Sequence, residues 1–365
     1  MGWNWLEEKR ITMKLNQLFW GAGIVAMLAA SGCGNGDAGA TGSSASTSTA
    51  SGKPGGTPAK KGEYKIVMIA KSSSNPVFAA AKTGAEEAAK ELGTKNGVKI
   101  TIDWQTPNSD DATVQAQRIG QAVTNGADAV LISCSDAAKV TGAINGAVDS
   151  GVPVMTFDSD APDSKRFAFY GADDTEAGTQ VMSELAKVID GKGVVGILAG
   201  NPNAPNLQKR SQGVIDEAKK YPGIKVLGPF NHAETAEDAT AEVVKDMNAH
   251  PEITAWAMIG GWPLFSTSLM SLDPSKVKIV SIDALPAELG YIDKGIAPVL
   301  LAQPVYDWGH KSVELIVDKI ILGKDVPKIN KMELIRVSKD NLTEWGGKLK
   351  TWGFPVDAKY LPAKK

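Results

Sequence analysis

The segment from Tyr64 to Gly93 reads YKIVMIAKSSSNPVFAAAKTGAEEAAKELG, and its three parts decide the fold. YKIVMIA (64–70) is a continuous apolar run of strand length, too uniformly hydrophobic for a strand with one wet face. A polar turn, Lys71-Ser-Ser-Ser-Asn75-Pro76, follows; Asn75 suits a helix cap and Pro76 a first helical turn. From Val77 to Leu92 the apolar residues recur at helical spacing. Strand, turn and helix in this order form the repeating unit of a parallel sheet covered on both faces.

The same alternation continues outward. ITIDW (100–104) precedes a helical stretch from Val114 to Val123, AVLIS (129–133) precedes Val140 to Val148, and VPVMTF (152–157) follows. A second series contains VVGILA (194–199), IKVLGPF (224–230), AWAMI (255–259), VKIVSI (277–282) and PVLLA (298–302), each expected to lead into a helix. The pattern predicts an α/β protein of two doubly wound parallel-sheet lobes, and 365 residues suffice for two cores. With 39 basic against 41 acidic residues and a net charge of -2, the chain offers no basic surface for nucleic acid. Its two cysteines make no disulfide framework. His232, His250 and His310 lie far apart without zinc-site spacing, so neither a metal nor a cofactor is expected.

The N-terminal part reads as an address. LFWGAGIVAMLAA (18–30) is too short to cross a hydrocarbon layer of about 30 Å as a helix and fits a signal-peptide core, preceded by Lys9, Arg10 and Lys14. Ala30-Ser31-Gly32-Cys33 resembles a bacterial lipobox, which implies lipidation of Cys33 and a signal peptide over residues 1–33. Met13-Lys14 is an alternative start. Residues 34–61, nearly all Gly, Ala, Ser, Thr, Pro and Lys, cannot build a core and read as a flexible tether with a reach of roughly 30 Å.

In open parallel sheets the ligand crevice lies beyond the carboxyl ends of the strands. There the sequence places Lys71 and Asn75, Phe78, Asp158-Ser159-Asp160, the segment GNPNAPNLQKR (200–210) with Gln208, Gly260-Gly261-Trp262-Pro263, Asp283 and Gln303. Amides and carboxylates with flat rings among them suit a neutral hydroxyl-rich molecule. Other readings stand beside this one: Asn75 as a plain helix cap, Asp158 and Asp283 as turn residues, Phe78 as core, Gln303 as a hinge group. Trp256, in mid-strand, reads as core; Trp262, after two glycines, reads as facing the crevice.

Over residues 63–335 the sequence resembles the type I periplasmic solute-binding proteins, in the ribose and sugar-binding branch of bacterial ABC importers. The resemblance rests on SNPVFAAAKTGAEEAAKELG (74–93), QRIGQAVTNGADAVLIS (117–133), GVPVMTFDSD (151–160), the Arg210-x-x-Gly213 step, VVKDMNAHPEITA (243–255), VSIDALP (280–286) and LAQP (301–304). It implies that Asn75, Asp158, Asp283 and Gln303 bind sugar hydroxyls. Ribose binders carry arginines at the positions of Ser159 and Gln208, asparagine at that of Gly260 and an aromatic at that of Val77, so a ligand other than ribose is expected. Lys71 and the Asp158-Ser159-Asp160 run are similar to the rhamnose and autoinducer-2 branch, and the carboxylate pair leaves an amino sugar open.

The resemblance further implies a three-crossover hinge, with one lobe over 62–172 plus 304–328 and the other over 173–303 plus 329–365. The tail from Val337, with Trp345, Trp352 and Phe354, is expected to pack on the second lobe. The implied function is capture of a small neutral sugar or polyol and its delivery to an inner-membrane permease, by a monomeric, lipid-tethered periplasmic protein. A sensor-kinase partner uses the same fold and remains an alternative. An enzyme is disfavoured because G-x-x-x-x-G-K-[ST], G-x-S-x-G and H-E-x-x-H are all missing.

Overall fold

The computed structural model describes residues 61–363, within the compact unit Gly56–Lys365. The expected signal segment, the expected lipobox with Cys33 and most of the expected tether lie outside the described residues. Among the described residues no helix is long and apolar enough to cross a membrane.

The first sheet is built from β1 (Glu63–Ile69), β2 (Lys99–Trp104), β3 (Ala129–Ile132), β4 (Val154–Phe157) and β5 (Ala168–Gly171). Helices α1 (Pro76–Asn96), α2 (Ala112–Thr124) and α3 (Ala137–Asp149) connect its first four strands. The central strands β3 and β4 are buried throughout, as expected for a sheet with helices on both faces. Each helix starts where a polar side chain replaces the missing backbone acceptor: Asn75 accepts from the Val77 amide, Asp111 from Thr113 and Val114, and Asp136 from Lys139.

The second sheet repeats the plan with α4 (Asp174–Val188), β6 (Lys192–Ala199), α5 (Pro205–Ala218), β7 (Gly223–Asn231), α6 (Ala236–Ala249), β8 (Ile253–Met258), β9 (Lys278–Ile282), α7 (Leu289–Lys294) and β10 (Val299–Ala302). Then α8 (Val305–Ile320) returns to the first lobe, where it packs on α1. β11 (Ile329–Lys331), β12 (Ile335–Val337) and α9 (Leu342–Thr351) finish the chain. The strand orders are β11-β5-β4-β3-β1-β2 and β12-β10-β9-β8-β6-β7, all parallel neighbours except β12, which runs antiparallel to β10.

Three expectations are corrected. Residues 329–331 belong to the first sheet, since they pair with Phe169–Gly171 and fill the open edge of β5, so the third crossing falls at 332–334 and not at 328. AWAMI leads into a short 3-10 turn, Trp262–Phe265, because Pro263 and the Ser266-Thr267-Ser268 run interrupt a longer helix. The C-terminal tail does not rest on the second lobe alone. Trp345 donates to the Ala284 carbonyl at 2.7 Å, whereas Trp352 stacks on Tyr306 of α8 at 5.9 Å and an interplanar angle of 4°.

Each lobe contains one helix pair brought together by glycines. A Cβ on Gly84 of α1 would lie 2.1 Å from the Tyr306 carbonyl oxygen, and one on Gly309 of α8 would lie 1.8 Å from that of Ala81. In the second lobe Gly178 of α4 and Gly213 of α5 meet the carbonyls of Arg210 and Thr175 in the same way. Backbone cannot yield as a flexible side chain can, so Gly309→Ala and Gly178→Ala should each lower stability by about 2 kcal/mol or more. Urea unfolding should show a lower midpoint at unchanged slope; a wild-type midpoint would contradict the close approach.

Candidate functional site

Two aspartates occupy corresponding places in the two lobes. Asp158 follows β4 and Asp283 follows β9, and both adopt left-handed backbone, with φ of 55° and 76°. Aspartate tolerates this region better than most residues, but two such cases at two strand ends mark positions where backbone geometry serves a side chain. Asp158 accepts from Ser133 Oγ at 2.7 Å and from Asn206 Nδ2 at 3.2 Å. Asp283 accepts from Gln303 Nε2 at 2.9 Å and from the Gly261 amide at 3.1 Å. Both are buried.

Arg210 joins these two ends. From the second turn of α5 it donates through Nε to Asp174 at 2.9 Å, through Nη1 to the Ile259 carbonyl at 3.2 Å and through Nη2 to Gln303 Oε1 at 2.9 Å; Asp158 lies 3.9 Å away. Burial works against its charge, but Asp174, Asp158 and Asp283 outweigh that effect and hold the guanidinium above its ordinary pKa. Burial raises the Asp174 carboxyl to about 6, although Arg210 opposes the rise. Asp283 is raised by burial too, against the hydrogen bond from Gln303.

Lys71 crosses between the lobes. Its ammonium donates to Asn206 Oδ1 at 3.2 Å and lies 3.6 Å from Glu234. Burial pulls its pKa down, yet Glu234, Asp158 and Asp110 together leave it raised. At the outer edge Asn201 reaches from the second lobe to Asp110 at 2.8 Å and to the Ser135 carbonyl at 3.2 Å. Polar side chains at the strand ends of both sheets thus form one continuous network.

The structure brings Lys71, Asp158, Asp283 and Gln303 into one polar network, with Asn75, Phe78, Trp262 and Gln208 outside its hydrogen bonds. Asn75 caps α1 through Oδ1, and Phe78 packs with Phe157 and Trp308 inside the first lobe. Trp262 is buried over Gly200 and Gly260, where a Cβ at Gly260 would come within 2.4 Å of its ring, and it meets His232 edge-on at 5.0 Å. Gln208 is corrected: it is exposed and donates to the Pro202 carbonyl. Positions 206 and 210 are one helical turn apart and face inward, whereas 208 lies on the opposite side. Asp160 is no free partner of Asp158, because Arg166 binds both its oxygens. Trp256 is core, packed against Gly196 and Phe230.

Several members escaped the sequence reading. Asp110 and Glu234 follow β2 and β7, strand ends that carried no sequence candidate. Asn206 and Arg210 could have been found from the inward face of α5. Among the described residues no group of three metal-ligating side chains occurs.

Removing the guanidinium leaves buried carboxylates without their cation, at a cost of roughly 3–5 kcal/mol when both charges would otherwise be paired. Arg210→Ala should therefore destabilise the fold, and more at pH 8 than at pH 5. The sign follows from Asp174 and Asp283: Arg210 holds both carboxyl pKa values down against burial, so its removal raises them further above the unfolded values, and protonation of the native state relieves the penalty as pH falls. Thermal melts at the two pH values test this; an equal loss at both would refute it.

Residues 66–325 match the periplasmic binding protein domain family. The chain is 31% identical over 279 residues to the ribose import binding protein of Bacillus subtilis, covering 76% of this chain and 87% of that protein. It is similar to the crystal structure of an ABC transporter solute-binding protein from Burkholderia graminis in complex with D-arabinose, with a TM-score of 0.71, 27% identity and coverage of 78% and 99%. A glucose-galactose binding protein from Geobacillus stearothermophilus gives 0.70, 26%, 77% and 99%. With this family match, two parallel-dominated sheets and polar side chains converging between them, the chain belongs to the periplasmic binding proteins, alongside relatives that are sugar-binding components of ABC importers.

Proposed function

We propose that this protein is the substrate-binding component of an ABC-type importer, which captures a small sugar or polyol between its lobes and presents it to a membrane permease. The observation that carries this reading is the Asp158–Arg210–Gln303–Asp283 network, in which carboxylates and an amide from both sheets converge on one buried place. Carboxylates accept from hydroxyls while the amide both donates and accepts, so such a set suits a ring of hydroxyls. The relatives named above bind ribose, arabinose, glucose or galactose by their descriptions.

Lys71, Asp158, Asp283 and Gln303 contact the ligand in this reading, and Trp262 forms an apolar wall. The protein holds its sugar without converting it. It acts outside the cytoplasm as a monomer, anchored by lipid on Cys33 and hinged at the crossings near 172, 303 and 332–334.

Calorimetry against pentoses, hexoses, deoxyhexoses and polyols tests the proposal. One class should bind and be recovered chemically unchanged; conversion would sink the reading. Asp158→Ala and Asp283→Ala should each weaken that binding by about 2 kcal/mol, some thirtyfold, because a desolvated hydroxyl loses its partner. Retained affinity in both variants would place the ligand elsewhere. Membrane fractionation tests the anchor: Cys33→Ser should release the protein into the soluble fraction, and unchanged membrane retention would refute lipidation at this residue.

A further inference from the structure

Between the outer ends of the two sheets lies a cavity of about 560 Å³, lined by Ser72, Ser74 and Asp110 from one lobe and by Asn201, Asn231, His232 and Glu234 from the other. Glu234 also faces Lys71, which makes the cavity the mouth of the site already described. The hydrogen bonding of its lining is one-sided.

The donors are committed. Asn201 Nδ2 is taken by Asp110 and the Ser135 carbonyl, and Asn231 Nδ2 by the Gly200 carbonyl at 2.9 Å. Ser72 Oγ donates to the Asn108 carbonyl at 2.8 Å, which leaves the 2.7 Å contact between the two serine hydroxyls to be donated by Ser74. Thr235 Oγ1 is bound to Asp238. Ser109, exposed on the rim, and the second Nδ2 hydrogen of the exposed Asn231 are the exceptions.

The acceptors are open. Asp110 Oδ1 is buried and has no partner among the described residues. His232 Nδ1 lies 2.5 Å from the Ala233 carbonyl, so it carries the ring proton, and Nε2 is left as a buried acceptor without a partner. The Glu234 side chain is only 6% exposed. Its two contacts, a 3.3 Å bond from the Asn201 amide and Lys71 at 3.6 Å, both fall on Oε1, and Oε2 has no hydrogen bond among the described residues.

Charge is one-sided in the same sense. Asp110, Asp158, Asp174, Glu234 and Asp283 share the cleft with two cations, Lys71 and Arg210. Buried charges are normally paired, and Lys71 can neutralise only one of the two acids at the mouth. Arg210 is engaged farther inside.

We propose that the cleft mouth is the subsite for a protonated amine, so that the ligand is an amino-substituted sugar or polyol. This rests on reading the cleft as a sugar site and narrows its substrate class. An ammonium group has three donors and no acceptor, the complement of Asp110 Oδ1, Glu234 Oε2 and His232 Nε2; a hydroxyl, with one donor, would satisfy one of the three and turn lone pairs toward the others. The hydroxylated body then reaches inward to Asp158, Asp283 and Gln303.

Titration calorimetry of the purified full chain tests this with matched probes: D-glucosamine against D-glucose and N-acetyl-D-glucosamine, D-galactosamine against D-galactose, and D-glucamine against D-sorbitol. In at least one set the amine should bind about tenfold tighter or better than its neutral counterparts, and Asp110→Asn should move that ratio toward one. The ratio is insensitive to a general loss of affinity in the variant, and urea unfolding checks that the variant folds. Neutral members binding as tightly as the amines, or more tightly, would overturn the inference and leave the sugar reading standing. An amine preference unchanged in Asp110→Asn would overturn the assignment to the mouth. Binding of no probe here while a neutral pentose, deoxyhexose or polyol binds would overturn the inference alone; binding of nothing in either panel would overturn both.

Discussion

A single buried guanidinium holds the interior of this cleft together. Arg210 spends three donors on Asp174 at the first crossing, Gln303 at the second and a strand-end carbonyl of the second sheet, with Asp158 of the other lobe within ion-pair distance. No ammonium could serve these partners at once, because only the planar fork projects donors in several fixed directions. Its position depends on how α4 and α5 pack. Without a side chain at Gly178 or Gly213 the helices approach until Arg210 and Asp174 are in reach, so helix packing in the second lobe determines the electrostatics of the cleft interior.

The same groups that would hold a ligand also join the lobes directly. Lys71 binds Asn206, Asp158 binds Asn206, and Asp110 binds Asn201, each across the cleft. A ligand entering here must replace such bonds with better ones, so its affinity is the difference between two sets of contacts rather than the sum of one. Closing is then favoured by any molecule that satisfies the two faces more fully than they satisfy each other. The unmatched acceptors at the mouth show where the faces fall shortest.

The fold was legible because its signals are local and repeated. Continuous apolar strands, polar turns and helical spacing recur often enough that two covered parallel sheets were the natural solution, and helix caps such as Asn75 could be placed from sequence alone. The short pieces were not. β5, β11 and β12 have three or four residues each and take their structure from an open strand edge that only the assembled sheet provides. At the site, looking beyond strand ends brought out Asp158, Asp283, Gln303 and Lys71, and it would have brought out Asp110 and Glu234 had it been applied after β2 and β7. Gln208 misled because sequence position beside an inward residue says nothing of helix face, whereas Arg210, two residues on, turns inward.

Ligand identity depends less on which residue types are present than on where the cations sit. The ribose pattern places arginines at positions held here by Ser159 and Gln208, and Ser159 Oγ, fully buried, has no hydrogen-bond partner among the described residues. This cleft still contains an arginine and a lysine, but Arg210 is occupied by its own lobe and by the crossings, and Lys71 is held between Asn206 and Glu234. Neither is free to present a fork to a hydroxyl pair. At Gly260, where the pattern has an amide, the missing side chain makes room for the Trp262 ring. In the proposed reading these changes alter the surroundings of the ligand while leaving the aspartates at both strand ends in place. Two proteins of this family can therefore share a backbone and a pair of acids and still select different molecules.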